Sequence, residues 1–146
     1  MSNINRDIFR NVMQIIHKAK IPRNRPIQFE GDNYFPAEIH LILHIATCEE
    51  STKNLTKIGR SLGITKGAVS HIIKKLADKG NLTKEIDTKY KNALQLSFTE
   101  KGERLLTLGR TLERKAFKAH EILLTDYTQQ QKETVLEYLK KLNRLI

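Results

Sequence analysis

Between Asn54 and Gly102 the chain reads NLTKIGRSLGITKGAVSHIIKKLADKGNLTKEIDTKYKNALQLSFTEKG, an order that few folds accept. Ile58, Leu62, Ile64, Val69, Ile72, Ile73 and Leu76 supply the apolar faces of two helices, and Gly63 stands where the chain must bend between them. Thr65 is placed to cap the second helix, because its hydroxyl oxygen can accept a backbone N–H of the first turn. Gly80 is placed to stop that helix in the left-handed conformation that other residues avoid. The second helix is therefore expected over 66–79, with residues 69, 72, 73 and 76 on its buried side. Lys66, Gly67, Ser70, His71, Lys74 and Lys75 are left on the other faces. Small, hydroxyl and cationic side chains suit a helix that must approach a DNA groove closely and meet base edges or phosphates.

After Gly80 the period changes from helix to strand. Leu82, Lys84 and Ile86 alternate with polar residues, as do Leu94, Leu96 and Phe98, and a polar tip from Asp87 to Asn92 joins the two runs. The pattern predicts a β-hairpin. A helix–turn–helix followed directly by a hairpin is a winged helix.

The charge agrees with that reading. The net charge is +10, but from Lys53 to Asn92 ten Lys or Arg face only three Asp or Glu. Residues 1–52 hold six of each, and residues 93–146 hold ten basic and seven acidic. A generally lysine-rich solvated surface would spread the excess evenly. Concentration on the helix–turn–helix and wing is instead the footprint of phosphate binding.

The rest of the chain is helical in pattern. Ile4, Ile8, Val12, Ile15, Ile16 and Ala19 recur at helical spacing until Ile21-Pro22 ends the ladder. Residues 21–35, with two prolines and a glycine, read as a long loop. Pro36 opens a second helix with Ile39, Ile42, Leu43, Ile45 and Ala46 on its buried side, and Asn54 can cap the short helix 55–62. Thr99 is placed to cap a long helix carrying Leu105, Leu108, Leu112, Ala116, Ala119 and Leu123, with Gly102 tolerated near its start. A break at 125–128 precedes a last helix striped by Val135, Leu136, Leu139, Leu142 and Ile146. The expected class is mainly α with a small β-hairpin wing: a winged helix-turn-helix over 36–102, flanked by helical dimerisation regions at 1–35 and 103–146. Three amphipathic helices outside the winged helix exceed what so small a body can bury, and a two-fold homodimer would cover them.

The segments LGITKGAVSHIIKKLADKGNL and LSFTEKGERLL, with the hairpin between them, resemble the MarR family of transcription factors. The resemblance implies a roughly triangular, intertwined homodimer with a winged helix at each lower corner. It implies that the second helix of the motif enters the major groove of double-stranded DNA while the wing meets the adjacent minor groove. Carried over, Lys66, Gly67, Ser70, His71 and Lys74 face bases or flanking phosphates, with Thr65, Lys75 and Lys84 beside them. Lys53, Asn54 and Lys57 meet backbone phosphates. Many relatives carry Arg where His71 stands, and an Asp-Arg pair at the wing tip where this chain has Tyr90-Lys91, with Asp87 and Lys89 nearby. Lysine is more strongly hydrated than arginine, so Lys89 and Lys91 are expected to act on phosphates rather than to read the minor groove. The implied output is repression by occupying a promoter, on an inverted repeat, with possible release by a small effector bound near Met13, His17, His40 and Phe117.

His40 and His44, four apart on one helix, could hold a metal with His120, and some members of the family sense zinc, but the pair does not match those sensors' ligand positions and no dense ligand cluster surrounds it. Cys48 could sense oxidants, but Glu49 and Glu50 beside it disfavour the thiolate. A non-specific architectural DNA-binding protein is the further alternative. No phosphate-binding glycine loop or nucleophile–base signature speaks for an enzyme, and no cofactor is implied. One cysteine excludes an intrachain disulfide framework, and no apolar run reaches the length of a membrane span. With no signal peptide visible, a cytoplasmic location is expected.

Overall fold

The computed structural model describes residues 3–20, 26–47, 52–53, 55–87 and 93–145. Cys48, Asn54, Lys89, Tyr90 and Lys91, all singled out above, lie outside the described residues. The chain divides into two compact units, Met1–Pro36 and Ala37–Ile146.

The first unit holds helix α1 (Ile4–Lys20) and strands β1 (Ile27–Phe29) and β2 (Asp32–Tyr34). Asn3 starts α1 as a capping residue, its side-chain oxygen accepting the Asn5 N–H at 3.1 Å. The strands correct the expectation of a plain loop over 21–35. They pair antiparallel, Ile27 with Tyr34 and Phe29 with Asp32. Glu30 and Gly31 form the whole connection, with φ of 47° and 82°. Two consecutive positive φ angles are what a two-residue hairpin turn needs to match the right-handed twist of its strands. Glycine meets that demand freely and glutamate rarely does, so the Glu-Gly pair gave little warning of the turn.

The second unit is built mainly from α2 (Pro36–Thr47), α3 (Leu55–Leu62), α4 (Lys66–Asp78), α5 (Glu100–Leu123) and α6 (Gln129–Leu145). Strands β3 (Thr52–Lys53), β4 (Leu82–Asp87) and β5 (Ala93–Phe98) form a sheet in the order β3-β5-β4. The two-residue β3, pairing Thr52 with Gln95 and Lys53 with Leu94, is too short to carry a periodic signal and was not anticipated. The wing is the expected hairpin, with Leu82 opposite Phe98, Lys84 opposite Leu96 and Ile86 opposite Leu94.

The core of this unit draws on every layer. Ile39, Leu41, Ile42 and Ile45 of α2 are buried, with Ile58 of α3, Val69, Ile73 and Leu76 of α4, Leu82 and Leu96 of the wing, and Leu105 and Leu106 of α5. The apolar stripe of α5 runs out of core after its first half. Leu108 and Leu112 are half-buried, and every residue from Glu113 to Leu123 is exposed. No residue of α6 is buried. That helix starts on a reciprocal cap, in which Thr128 Oγ1 accepts the Gln131 N–H at 3.2 Å and Gln131 Oε1 accepts the Thr128 N–H at 2.8 Å.

Candidate nucleic-acid interface

The turn between α3 and α4 fixes how α4 is presented. Gly63 has φ 71°, and two hydrogen bonds close the end of α3: Ile64 N–H to Gly59 O at 2.9 Å and Gly63 N–H to Arg60 O at 3.4 Å. This is the paired closure that a left-handed glycine permits at a helix end. Gly59 is required for a different reason: a Cβ there would stand 2.6 Å from Ile64 O, so α3 and the turn could not approach this closely. Thr65 then caps α4, its Oγ1 accepting the Ala68 N–H at 3.1 Å. The other end repeats the closure, with Asn81 N–H to Leu76 O at 2.9 Å, Gly80 N–H to Ala77 O at 3.0 Å and Gly80 at φ 81°.

With its ends fixed, α4 divides cleanly. Val69, Ile73 and Leu76 are buried, while Thr65, Lys66, Gly67, Ser70, His71, Lys74 and Lys75 are all exposed. The exposed face runs the length of the helix, about 20 Å at 1.5 Å per residue. Its only acidic residue is Asp78, at the last position. Lys57 of α3 is exposed as well, and α3 contains no acid. One turn further on, Arg60 is also exposed. It belongs with this cationic surface although the sequence reading passed over it; its signal was its position three residues after Lys57. Lys84 is exposed on β4. Lys53 lies in β3, opposite Leu94.

A cavity of about 310 Å³ opens in the second unit, lined by His40, Leu43, His44, Ala46 and Thr47 of α2, Leu62 of α3, and Arg110 and Glu113 of α5. Of the four residues proposed from sequence for an effector, only His40 lines it. Phe117, 61% exposed, lies one turn beyond Glu113, and Met13 and His17 are on α1 in the first unit. His44 joins His40 in the cavity wall, but His120 does not. Among the described residues no group of three His, Cys, Asp or Glu side chains is disposed to hold a metal ion. Arg110 and Glu113, three apart on α5, escaped the sequence reading because helical spacing alone marks them as solvated surface. Among the described residues no helix is long and apolar enough to cross a membrane.

No protein-family model matches the sequence, and no curated protein matches it. The fold, by contrast, has solved counterparts. A MarR/EmrR family transcriptional regulator from Acinetobacter sp. ADP1 superposes with a TM-score of 0.68 at 23% identity, over 98% of this chain and 96% of that one. The adhesin competence repressor AdcR of Streptococcus pyogenes gives 0.69 at 15% identity, over 98% and 97%. ZitR of Lactococcus lactis in complex with DNA gives 0.69 at 22% identity, over 99% and 97%; ZitR is described as a zinc-responsive MarR family member. Over nearly its whole length, this chain has the winged helix-turn-helix fold of the MarR family transcriptional regulators.

Proposed function

We propose that the protein is a DNA-binding transcriptional regulator of the MarR family that acts as a homodimer on an inverted-repeat operator and represses by occupying a promoter. The observation that carries this reading is the exposed face of α4, with Lys66, Gly67, Ser70, His71, Lys74 and Lys75 displayed along one side and no acid before Asp78. Carboxylates on that face would repel phosphates. Its cations attract them, and its small residues allow the backbone to come near the bases. A fold neighbour, ZitR, is known in complex with DNA, which supports DNA binding by this fold.

In this reading residues 36–102 are the DNA-binding domain, and 1–35 with 103–146 the dimerisation region. Ser70 and His71 read base edges, with Lys66 and Lys74 at their flanks. Lys53, Asn54, Lys57, Lys75 and Lys84 hold phosphates, as do Lys89 and Lys91 at the wing tip. Arg60 joins them. A small effector has room in the cavity of about 310 Å³ beside His40 and His44, where Arg110 and Glu113 supply polar partners.

The test is a fluorescence-anisotropy titration at two salt concentrations, comparing DNA from upstream of the protein's own gene with scrambled DNA. A steep salt slope with a preference of roughly 10³ or more for the upstream fragment supports a specific regulator. Near-equal binding to both would leave an architectural role, or an operator elsewhere. No binding to either would remove the nucleic-acid reading.

A further inference from the structure

The far end of α4 is held by two other helices, and the chemistry of that hold is not that of a DNA contact. Lys79 closes α4, and its ammonium lies 2.7 Å from Glu38 Oε2 of α2. Glu38 is only 2% exposed, so its charge is tolerable there because a cation meets it. The backbone of the same segment is taken up by the start of α5. Lys101 Nζ donates to Lys79 O at 2.9 Å, the Thr99 hydroxyl donates to Gly80 O, and Thr99 N–H donates to Asn81 O at 3.1 Å. Three successive carbonyls beyond α4 are thus each occupied from the first turn of α5. Gly102 presses that turn home, since a Cβ at 102 would lie 2.0 Å from Asn81 O.

The whole wing, β4 and β5, leaves the chain at Asn81 and returns at Thr99, so this knot is also the base of the wing. At its other end α4 follows α3 through the glycine turn and buries Val69 in the core. The bonds at the Lys79 end add polar, directional contacts to that packing.

We propose that Glu38, Lys79 and Lys101 form a clamp that sets the orientation of α4 on DNA, with Glu38 and Lys101 as positioning residues that never touch the nucleic acid. The proposal rests on the DNA-binding reading above. A shift of α5 against α2 must pass through the clamp and reach α4 and the wing together, so the clamp is the joint through which events on the long helix alter DNA affinity.

The experiment uses the full-length protein and the tightest duplex that the wild type selects from random sequence, with a scrambled duplex beside it. Lys101→Met, Lys101→Arg and Glu38→Gln are compared with wild type by thermal unfolding, by affinity at several salt concentrations, and on the selected duplex with one base pair inserted between its half-sites. Lys101→Met is expected to fold and to lose roughly tenfold or more in affinity for the selected duplex, the size of one misaligned base contact. Its binding to scrambled DNA and its salt slope should stay as in wild type, and its penalty for the inserted base pair should shrink. Lys101→Arg, which can still donate to Lys79 O, should restore the wild-type values. Glu38→Gln should shift the same readouts in the same direction.

A salt slope reduced by about one in Lys101→Met would make Lys101 a phosphate contact and overturn the proposal. So would a folded Lys101→Met with wild-type affinity and spacing preference. If Lys101→Met does not fold, Glu38→Gln decides on the same criteria. Wild-type protein that selects no duplex over scrambled DNA would sink the reading as a sequence-specific regulator, an outcome visible before any variant is made.

Discussion

Gly67 and Gly102 both sit in the first turn of a helix, yet their surroundings assign them opposite tasks. A Cβ at Gly67 would meet nothing nearer than Thr65 Oγ1 at 4.0 Å. A Cβ at Gly102 would meet Asn81 O at 2.0 Å and Phe98 Cδ1 at 3.3 Å. Gly102→Ala should therefore destabilise by about 1–3 kcal/mol, because backbone cannot yield as a flexible side chain would. Gly67→Ala should leave stability unchanged or raise it by about 0.5 kcal/mol, since alanine orders the helix at lower entropic cost. Urea denaturation distinguishes the two. Gly67→Ala should still weaken binding to the selected duplex, because its methyl group stands between the α4 backbone and a base; unchanged affinity would mean that the first turn of α4 does not approach DNA closely. The difference between these glycines also marks what a sequence can disclose. Gly63 and Gly80 were readable because each ends a helix whose periodicity is local. Gly102 looked merely tolerated, because the atom that requires it lies 21 residues away in the chain. Glu38 is similar: in the first turn of α2 it reads as a partner for the helix dipole, and only packing brings it to Lys79.

Among the elements, α4 was the most legible and the β1–β2 hairpin the least. A cap, a periodic apolar stripe and a stop glycine all agree for α4, and its limits fell within a residue of those expected. The hairpin over Ile27–Tyr34 offers three-residue strands and a Glu-Gly turn, too little signal to distinguish it from a loop. The cavity wall was half legible: His40 was named, but Arg110 and Glu113 enter it from α5, whose docking on α2 no local pattern announces. The two sides of the α4 face should separate under substitution. His71→Ala should change the ranking of operator variants, by about 1–3 kcal/mol at one position, because a base-edge partner carries sequence information. Lys74→Ala should weaken all duplexes by a similar factor and lower the salt slope by about one, because a phosphate partner carries none. Competition binding against single-base operator variants, repeated at several salt concentrations, measures both. Identical profiles for the two variants would dissolve the division between reading and holding residues. Thr65→Ala is a third case, since its hydroxyl caps α4. About 1 kcal/mol of stability should go with it, read in the same urea series.

For the whole molecule, the apolar surface left uncovered by one chain is the feature that organises the proposed homodimer. Phe117, Ile122 and Leu123 are exposed on α5, Val135, Leu136, Leu139 and Leu145 on α6, and Ile4, Ile8, Phe9 and Ile15 on α1. Isolated exposed apolar residues need no explanation, but stripes at helical spacing on three helices do. Closed two-fold symmetry lets one self-complementary surface cover itself, and it presents two copies of α4 to an inverted repeat. Leu139, 51% exposed in the single chain, lies on the α6 stripe. Leu139→Glu would bring a carboxylate and its copy into that contact, where neither finds a cation from its own stripe. Sedimentation should then show a monomer at micromolar concentration, and the melting temperature should cease to depend on protein concentration. Affinity for the selected duplex should fall by about 10²–10⁴, because the second half-site no longer binds at the effective concentration set by the dimer. Lys141→Ala is the matched control: Lys141 is on the polar side of α6, 3.0 Å from Glu137, in an exposed pair of the kind that contributes little. It should remain dimeric and bind as wild type does. A Leu139→Glu protein that stays dimeric would assign the α6 stripe to some other partner and leave α1 and α5 to form the two-fold contact.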